Sequence, residues 1–513
     1  MGIFFVLASV VRLVVSNLTF IISRDGTRFI TMAYYIKSSN WQAFVNEQYH
    51  PLYPCLIFIA HKFIPDWILA AKTVSVVMGA LCVIPLYYLA LWLFNRTTAC
   101  TCAVIFAFHP YAARYSGDVI SDTTYLFFFL SALAVGYMSF VRSKKNILRF
   151  SAGLLAGLAY LTRPEGIGLI IILGAFMVFY KYIEPRENKF PNRFLAVVLL
   201  VFSFSLTAFP YVYLLKQQTG EWRITTKKKI SDFVPSYLIE RFKLKEAGAQ
   251  DNESAIPDNP TVKDPTGNIK DGETKHSQPK NPVFDLADNF FQSFHILLAL
   301  FMFAGIYRAF KETNDKNRRL LIWIILSVFI LYMYVLLRLA SAHYLSKRHI
   351  LPVVMTLLPF SAKGIEYVSQ LIMKKINFKY VLFVIVAVTV IVMVPKTFKP
   401  QRADKLYIKD LASWLKNYGK PSEIFLVDDP RITFYADLNF VILPRCVFTP
   451  EQIVYLMEDS GCRFTLVSKE YINSYIQNGY KLKSISKIKL TSIYKRTDNK
   501  NGLVEYYLFE YIS

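Results

Sequence analysis

The chain has 513 residues, of which 54% are hydrophobic and 16% aromatic, and its formal net charge is +23. A soluble core does not hold so large an apolar share, so the composition excludes an ordinary soluble protein and favours one whose surface faces lipid. The basic residues occur in short clusters between apolar runs and not on one aromatic-interleaved face. This arrangement argues against nucleic acid as a partner and for a lipid bilayer.

About eleven apolar stretches are candidates for crossing a bilayer, which takes roughly 20 residues. The predicted spans are 3–22, 67–94, 98–115, 120–141, 148–162, 165–183, 194–215, 290–310, 319–338, 349–368 and 379–396. The first lacks the basic start and the cleavage site of a signal peptide, so we expect a retained span. The apolar stretch 51–64 is too short to cross and predicts an interfacial or re-entrant helix.

The orientation follows from Lys and Arg residues in the short connections. Four clusters of these residues lie at 142–149, 181–193, 308–319 and 363–379. With eleven spans all four fall on one side of the membrane, and the positive-inside rule makes that side cytoplasmic. We therefore predict a polytopic α-helical membrane protein whose N-terminus is inside and whose C-terminus is outside.

The same pattern predicts two domains. Residues 1–396 form the predicted transmembrane domain, with one outer loop at 23–66 and another at 216–289. Within the second loop, 246–282 has almost no apolar residues and predicts a flexible segment. Residues 397–513 form the predicted small extracytoplasmic α/β domain.

Short periodic segments support the α/β prediction. We predict a helix at 404–418, strands at 424–427 and 464–467, a helix that begins at Thr449-Pro450-Glu451, and a terminal hairpin of 484–496 and 503–512. Cys446 and Cys462 lie in this domain, and the sequence leaves open whether they form a disulfide or stay as thiols.

Acidic and basic residues recur in the predicted outer connections. The candidate site residues are Asp25, Arg28, His50, Tyr53, Asp118, Asp122, Arg163, Glu165, Arg338, Lys347 and Arg348. Any one of them could simply be an interface residue whose polar end reaches water. Ionisable groups at a lipid boundary are costly unless they are paired or hydrated, so their recurrence at one membrane depth predicts a functional pocket.

Carboxylates and cations together suit group transfer from a phosphate-bearing lipid. A carboxylate can accept the proton of the acceptor as a general base. Arg and Lys can stabilise the negative charge that grows on a phosphate leaving group. The chain contains no Gly-rich phosphate loop and no dinucleotide fingerprint, so nothing predicts a nucleotide site. A lipid-linked donor is consistent with that pattern.

Five motifs, taken in order, resemble a known family. They are Arg24-Asp25-Gly26-Thr27, His50-Pro51-Leu52-Tyr53-Pro54, Ser121-Asp122 before an aromatic run, Arg163-Pro164-Glu165-Gly166, and Arg348-His349. This order resembles the GT-C glycosyltransferases, in the branch that contains the protein O-mannosyltransferases and the lipid A aminoarabinose transferase. The resemblance covers the membrane part of the chain, and relatives often carry an extracytoplasmic C-terminal domain.

The resemblance implies an inverting transfer of a sugar from a polyprenyl-phosphate donor to a protein, lipid or glycan at the outer face of the cell membrane. It implies that Asp25 is the general base and Asp122 a second catalytic acid. Relatives often have two adjacent acids at the first position, whereas Gly26 follows Asp25 here. The sequence therefore assigns no cofactor and leaves a divalent metal open.

The other candidates keep two interpretations each. Arg163 and Arg348 are the first choices as ligands of the donor phosphate, followed by Arg338. His50 either contacts substrate or shapes its Pro-rich turn, and Tyr53 is either a sugar contact or an interfacial anchor.

Two other classes of function compete with the transferase. A transporter or lipid flippase would be expected to have ionisable groups near the middle of its spans and an internal repeat, and neither is evident in the sequence. A non-enzymatic scaffold would leave the cluster of charged residues unexplained.

Overall fold

The structure of the protein is a computed structural model. It describes residues 1–47, 49–141, 145–183, 193–225, 228–229, 281–312, 315–341, 345–376, 380–420, 422–443, 450–470, 472, 487–498 and 502–512. The chain divides into two compact units. Among the described residues, the first unit comprises those within 1–18, 29–229 and 281–399, and the second comprises those within 19–28 and 400–512. Most of the predicted flexible segment 246–282, together with Cys446, lies outside the described residues.

Helices dominate the chain up to Thr397. They are α1 Gly2–Asn17, α2 Arg24–Lys37, α3 Trp41–Asn46, α4 Leu52–His61, α5 Trp67–Leu81, α6 Val83–Leu93, α7 Arg96–Phe108, α8 Pro110–Ser116, α9 Asp122–Val141, α10 Asn146–Thr162, α11 Ile167–Ile183, α12 Arg193–Thr219, α13 Pro282–Phe294, α14 Ile296–Glu312, α15 Lys316–Ser341, α16 Lys347–Ile376 and α17 Val381–Thr397. A 3₁₀ turn at Pro164–Gly166 precedes α11, and the short strands β1 Arg223–Thr225 and β2 Lys228–Lys229 pair antiparallel.

Within the described part of the chain, four helical segments are long and apolar enough to cross a membrane. They are Trp67–Leu93, Asp122–Val141, Phe194–Thr219 and Lys316–Ser341. A bent helix pair adds a fifth if it counts as one crossing, and other apolar helices are shorter. The fold is therefore that of a polytopic helical membrane protein, whereas eleven crossings and their orientation stay predictions.

Two stretches that were predicted as single spans are each broken into two helices. In 98–115, α7 ends and α8 begins at His109, whose backbone is extended because Pro110 follows it. In 290–310, α13 and α14 meet at His295, where φ is 70° and the helices bend by 93°. Each of these two predicted spans is therefore interrupted at one residue, since neither backbone conformation continues a helix.

Glycines let helices of the first unit approach backbone to backbone. A Cβ added at Gly153 would overlap the carbonyl oxygen of Leu200, and one at Gly157 would overlap the Thr207 side chain. These two glycines are four residues apart on α10 and face α12. Such small-residue spacing is typical of close helix pairs in membranes. The packing holds α10, whose C-terminal end carries Arg163.

The second unit contains a five-stranded sheet. Its elements are a 3₁₀ turn Ala403–Lys405, α18 Tyr407–Leu415, β3 Ile424–Val427, α19 Pro430–Ala436, β4 Asn439–Ile442, α20 Pro450–Asp459, β5 Phe464–Ser468, β6 Ile488–Asp498 and β7 Gly502–Tyr511. The strand order is β4-β3-β5-β7-β6. Strand β3 is parallel to β4 and β5, and β7 is antiparallel to β5 and β6. The sequence predicted β3, β5 and the terminal hairpin, but it missed α19 and β4.

Candidate functional site

A cleft in the first unit contains four of the sequence-predicted site residues. It is lined by Asp122, Tyr125, Arg163, Glu165, Tyr332, Val335, Leu336, Leu339, Arg348, His349 and Pro352. The predicted members are Asp122, Arg163, Glu165 and Arg348, and they come from three separate predicted outer connections. The structure thus brings acids and cations together beside an apolar wall.

Local backbone rules place three of these side chains. Asp122 is the first residue of α9, where the helix dipole stabilises a negative charge. Arg163 follows α10 in an extended conformation, with φ −153° and ψ 139°, because Pro164 disfavours the helical region for the residue before it. Glu165 then lies in the 3₁₀ turn that Pro164 opens. The turn ends at Gly166, where an added Cβ would overlap the backbone of Tyr160.

Arg163 is the centre of the polar network in the cleft. Its Nη1 donates to Asp122 Oδ1, and its Nη2 lies 3.3 Å from Glu165 Oε1. Its Nε donates to the second oxygen of Glu165 across 3.4 Å. The side chains of Arg163, Asp122 and Glu165 are 15%, 5% and 26% exposed, respectively. One guanidinium therefore orients two carboxylates at once, and the fork geometry of arginine makes this possible.

Two tyrosines that were not sequence candidates complete the wall of the cleft. The hydroxyl groups of Tyr125 and Tyr332 lie 2.9 Å apart, and Tyr332 donates to the Glu165 carbonyl. Each hydroxyl group belongs to a predicted span, where a polar group needs a partner. That requirement is the one sequence signal that could have found them.

His349 sits at the start of α16 and is held by its own turn. The backbone N–H of Ser346 donates to His349 Nδ1 across 3.2 Å. Because Nδ1 accepts, a neutral His349 ring carries its hydrogen on Nε2. The neighbouring Arg348 lines the same cleft.

The remaining candidates of the first unit do not line this cleft. His50 is buried against the rings of Tyr160 and Tyr211, with centroids 5.2 Å and 5.1 Å away. Burial lowers the pKa of His50 to about 4, so its imidazole is neutral at physiological pH. Tyr53 is fully buried, and its hydroxyl group lies 2.7 Å from Ser75 Oγ. Contact of either residue with substrate stays a prediction.

Three further candidates lie elsewhere in the first unit. Asp118 is buried and accepts a hydrogen bond from the Val119 amide at 2.8 Å. Arg338 is exposed in the last turn of α15. The ammonium group of Lys347 lies 5.6 Å from the centroid of the Tyr111 ring, a cation–π contact.

Asp25 and Arg28 belong to the second unit, in the first turns of α2. Ser23 Oγ accepts a hydrogen bond from the Gly26 amide at 3.0 Å, which caps the helix. The Thr27 hydroxyl donates to the Arg24 carbonyl at 2.8 Å. The turn that carries Asp25 is therefore internally hydrogen-bonded.

Among the described residues, no group of three or more His, Cys, Asp or Glu side chains could hold a metal ion. We therefore assign no residues to a metal.

Comparison with known proteins identifies the architecture. Residues 49–207 match the family described as dolichyl-phosphate-mannose-protein mannosyltransferase. The chain is similar to ArnT from Cupriavidus metallidurans, solved bound to undecaprenyl phosphate, with a TM-score of 0.62 and 12% identity over 99% of this chain and 97% of that chain. No curated protein matches the sequence.

A second group of solved structures comes from Archaeoglobus fulgidus. Its oligosaccharyltransferase in the apo form matches with a TM-score of 0.59 and 12% identity over 91% of this chain and 69% of that chain. AglB, in complex with an inhibitory peptide and a dolichol-phosphate, matches with a TM-score of 0.56 and 12% identity over 98% of this chain and 74% of that chain. The family match over residues 49–207 confirms the resemblance to the branch of the protein O-mannosyltransferases, and these solved structures show that the chain shares its fold with ArnT and AglB.

Proposed function

We propose that this protein transfers a sugar from a polyprenyl-phosphate donor to a protein, lipid or glycan acceptor, with inversion, at the extracytoplasmic face of the cell membrane. The observation that carries the proposal is the pairing of Arg163 with both Asp122 and Glu165 in a cleft that Arg348 also lines. Two similar folds support the donor class, since ArnT was solved with undecaprenyl phosphate and AglB with a dolichol-phosphate.

The proposed reaction is a single displacement at the anomeric carbon of the sugar. Asp25 takes the proton of the acceptor as the acceptor atom forms its bond to that carbon. The bond from the carbon to the phosphate oxygen breaks at the same time, and the polyprenyl phosphate leaves with its electron pair. Arg348 stabilises the negative charge that grows on the phosphate.

The paired Arg163 has a different proposed task from Arg348. A guanidinium that already contacts two carboxylates is partly neutralised, so its first effect is to hold Asp122 and Glu165 in one orientation. Orientation of this kind matters because a displacement of about 1 Å can cost roughly a hundredfold in rate. We propose Arg28, His50, Tyr53, Asp118, Arg338 and Lys347 as substrate-binding residues of lower rank.

Sugar transfer by the purified protein tests the proposal. We expect transfer from at least one member of a panel of polyprenyl-phosphate sugars, and we expect Asp25→Asn to abolish it. Asp437→Asn is the matched control, because Asp437 lies in the same unit and has φ 59°, a conformation that Asn also tolerates. Intact transfer by the Asp25→Asn variant would overturn the assignment of the base.

The acceptor needs a second measurement. Mass spectrometry of envelope lipids and glycoproteins, with and without the protein, should show one species that loses a sugar. If no envelope species changes and no donor reacts in vitro, the transferase function is wrong.

A further inference from the structure

The segment that precedes Asp25 is built into the α/β unit. Ile21 is fully buried in the core of that unit, beside residues of α18 and β3. The Phe20 amide donates to the Gln401 carbonyl at 3.2 Å. The Ile22 amide donates to the Tyr435 hydroxyl at 3.1 Å, and Arg402 donates to the Ile21 carbonyl at 3.0 Å. The chain entering the Asp25 turn is therefore held by residues of the C-terminal part of the sequence.

Arg24 makes the last of these attachments. Its Nη2 donates to the Asp428 carbonyl at 2.6 Å, and its Nε lies 3.7 Å from Asp429 Oδ1. Arg24 is the residue directly before Asp25, and consecutive Cα atoms are only about 3.8 Å apart. A shift of the Arg24 backbone therefore moves Asp25 with it.

Asp429 is itself rigidly held. Its Oδ1 accepts from the Arg431 amide at 3.1 Å, which caps α19, and from Arg431 Nε at 2.9 Å. Its Oδ2 accepts from Arg431 Nη2 at 2.6 Å. Three bonds to one neighbour restrain the orientation of this carboxylate, so it can act as an anchor for Arg24.

We propose that Asp429 is a positioning residue of the transfer reaction, which acts through Arg24 to hold the turn that carries Asp25. The inference rests on the proposed function of Asp25. It gives the C-terminal α/β unit a task in turnover, beyond any contact with an acceptor.

Steady-state kinetics of the full-length protein test the inference. Arg24→Gln removes the guanidinium group that contacts Asp428 and Asp429, and it leaves the Asp429–Arg431 pair in place. We expect kcat to fall about tenfold or more while KM for the polyprenyl-phosphate donor stays within about twofold. We expect Arg24→Lys, which keeps the charge, to recover part of the loss. Asp429→Asn, which still caps α19, should lower kcat in the same direction.

The control variant is Arg463→Gln. Arg463 also pairs with acids of the α/β unit, Glu423 and Glu510, but it is 56% exposed and is not bonded to the Asp25 turn in the described structure. We expect wild-type kinetics from this variant. A rise in donor KM with unchanged kcat in Arg24→Gln would mean that Arg24 binds the donor directly, and it would overturn the positioning role.

Hydrogen exchange gives a readout that does not need activity. In Arg24→Gln and Asp429→Asn, the Gly26 amide should exchange faster, while the amides of Phe425, Leu426 and Val427 in the sheet stay protected. If the wild-type protein transfers no sugar, the proposed function fails, yet the exchange result still tests the anchor. Unchanged exchange at Gly26 in both variants overturns the inference, whatever the activity.

Discussion

The hydroxyl group of Tyr332 donates a hydrogen bond to the backbone carbonyl of Glu165 across 2.7 Å. A tyrosine hydroxyl group has one hydrogen, so the bond between Tyr332 and Tyr125 must be donated by Tyr125. The directions of both bonds are therefore set by the carbonyl, which can only accept. This chain of bonds ties α9 and α15 to the turn that holds Glu165 against Arg163.

Tyr332→Phe should loosen the Glu165 turn. The change leaves the Glu165 carbonyl without this donor and Tyr125 without this acceptor, which costs about 1–3 kcal/mol for a buried group. We expect a lower melting temperature in detergent and a slower sugar transfer. Tyr334→Phe is the control, since Tyr334 lies on the same helix and is 62% exposed. Equal melting temperatures for the two variants would contradict the role of Tyr332.

Arg163→Lys should lower the rate of sugar transfer by about 10- to 100-fold, although it keeps the charge. An ammonium group cannot replace the fork that contacts Asp122 and both oxygens of Glu165. The control is Arg318→Lys, because Arg318 forms an ion pair with Asp315 in which both side chains are well exposed. If Arg163→Lys retains the wild-type rate, the fork has no part in orienting the acids.

Helix contacts through glycine should be intolerant of any side chain. A Cβ at Gly305 would overlap the Phe360 carbonyl, and one at Gly364 would overlap the Phe301 carbonyl, so each glycine faces the other helix of the α14–α16 pair. We expect Gly305→Val and Gly364→Val to abolish the yield of folded protein. Gly174→Ala should be tolerated, since its nearest neighbour is a Leu200 methyl group at 3.9 Å. Chromatographic homogeneity after detergent extraction measures the yield of folded protein for all three variants.

The stability of the α/β unit should depend on pH through Asp428. Burial raises the pKa of Asp428 to about 6, whereas an unfolded Asp titrates near 3.9. The folded state binds the Asp428 proton more tightly than the unfolded state does. The stabilisation that this proton gives to the folded state is therefore complete below about pH 3.9 and is lost as pH rises through about 6. Between pH 5 and 7 the wild-type protein should therefore lose about 1 kcal/mol relative to Asp428→Asn. Melting temperatures of the two proteins across that range measure the difference.

The contribution of Asp429 to the stability of the folded state should depend on pH in the opposite direction, and at lower pH. Burial would raise its pKa, but the charges of Arg431 and Arg24 outweigh burial and hold it at about 2. Its stabilising effect is present above about pH 3.9 and is lost as pH falls toward 2, so it does not contribute to the change between pH 5 and 7. A melting temperature of Asp428→Asn that tracks the wild type across that range would contradict the assignment to Asp428.

Eleven crossings predict that Ser513 is outside the membrane. A C-terminal alkaline phosphatase fusion should therefore be active, and a green fluorescent protein at the same position should be dark. The matched fusion after Lys145, in the first Lys and Arg cluster, should give the reverse result. A fluorescent C-terminal fusion would show that the predicted number of spans has the wrong parity.

The membrane character and the family resemblance could be predicted from the amino-acid sequence alone. Apolar runs of span length and short ordered motifs are local patterns, and neither needs knowledge of which residues meet. The resemblance to the GT-C glycosyltransferases is confirmed by the family match and by the fold. Strands β3 and β5 were also predicted, because a buried strand is a short apolar run between turn residues.

The tertiary structure decided which polar residues share a site. Asp122, Arg163, Glu165 and Arg348 line one cleft, whereas Tyr53, which was also a candidate by sequence, is packed among helices. Tyr332 and Asp429 carried no motif, since a hydrogen bond between residues hundreds of positions apart leaves no local pattern. Asp25 could be nominated from its motif, but its anchor through Arg24 to Asp428 and Asp429 exists only once the chain has folded.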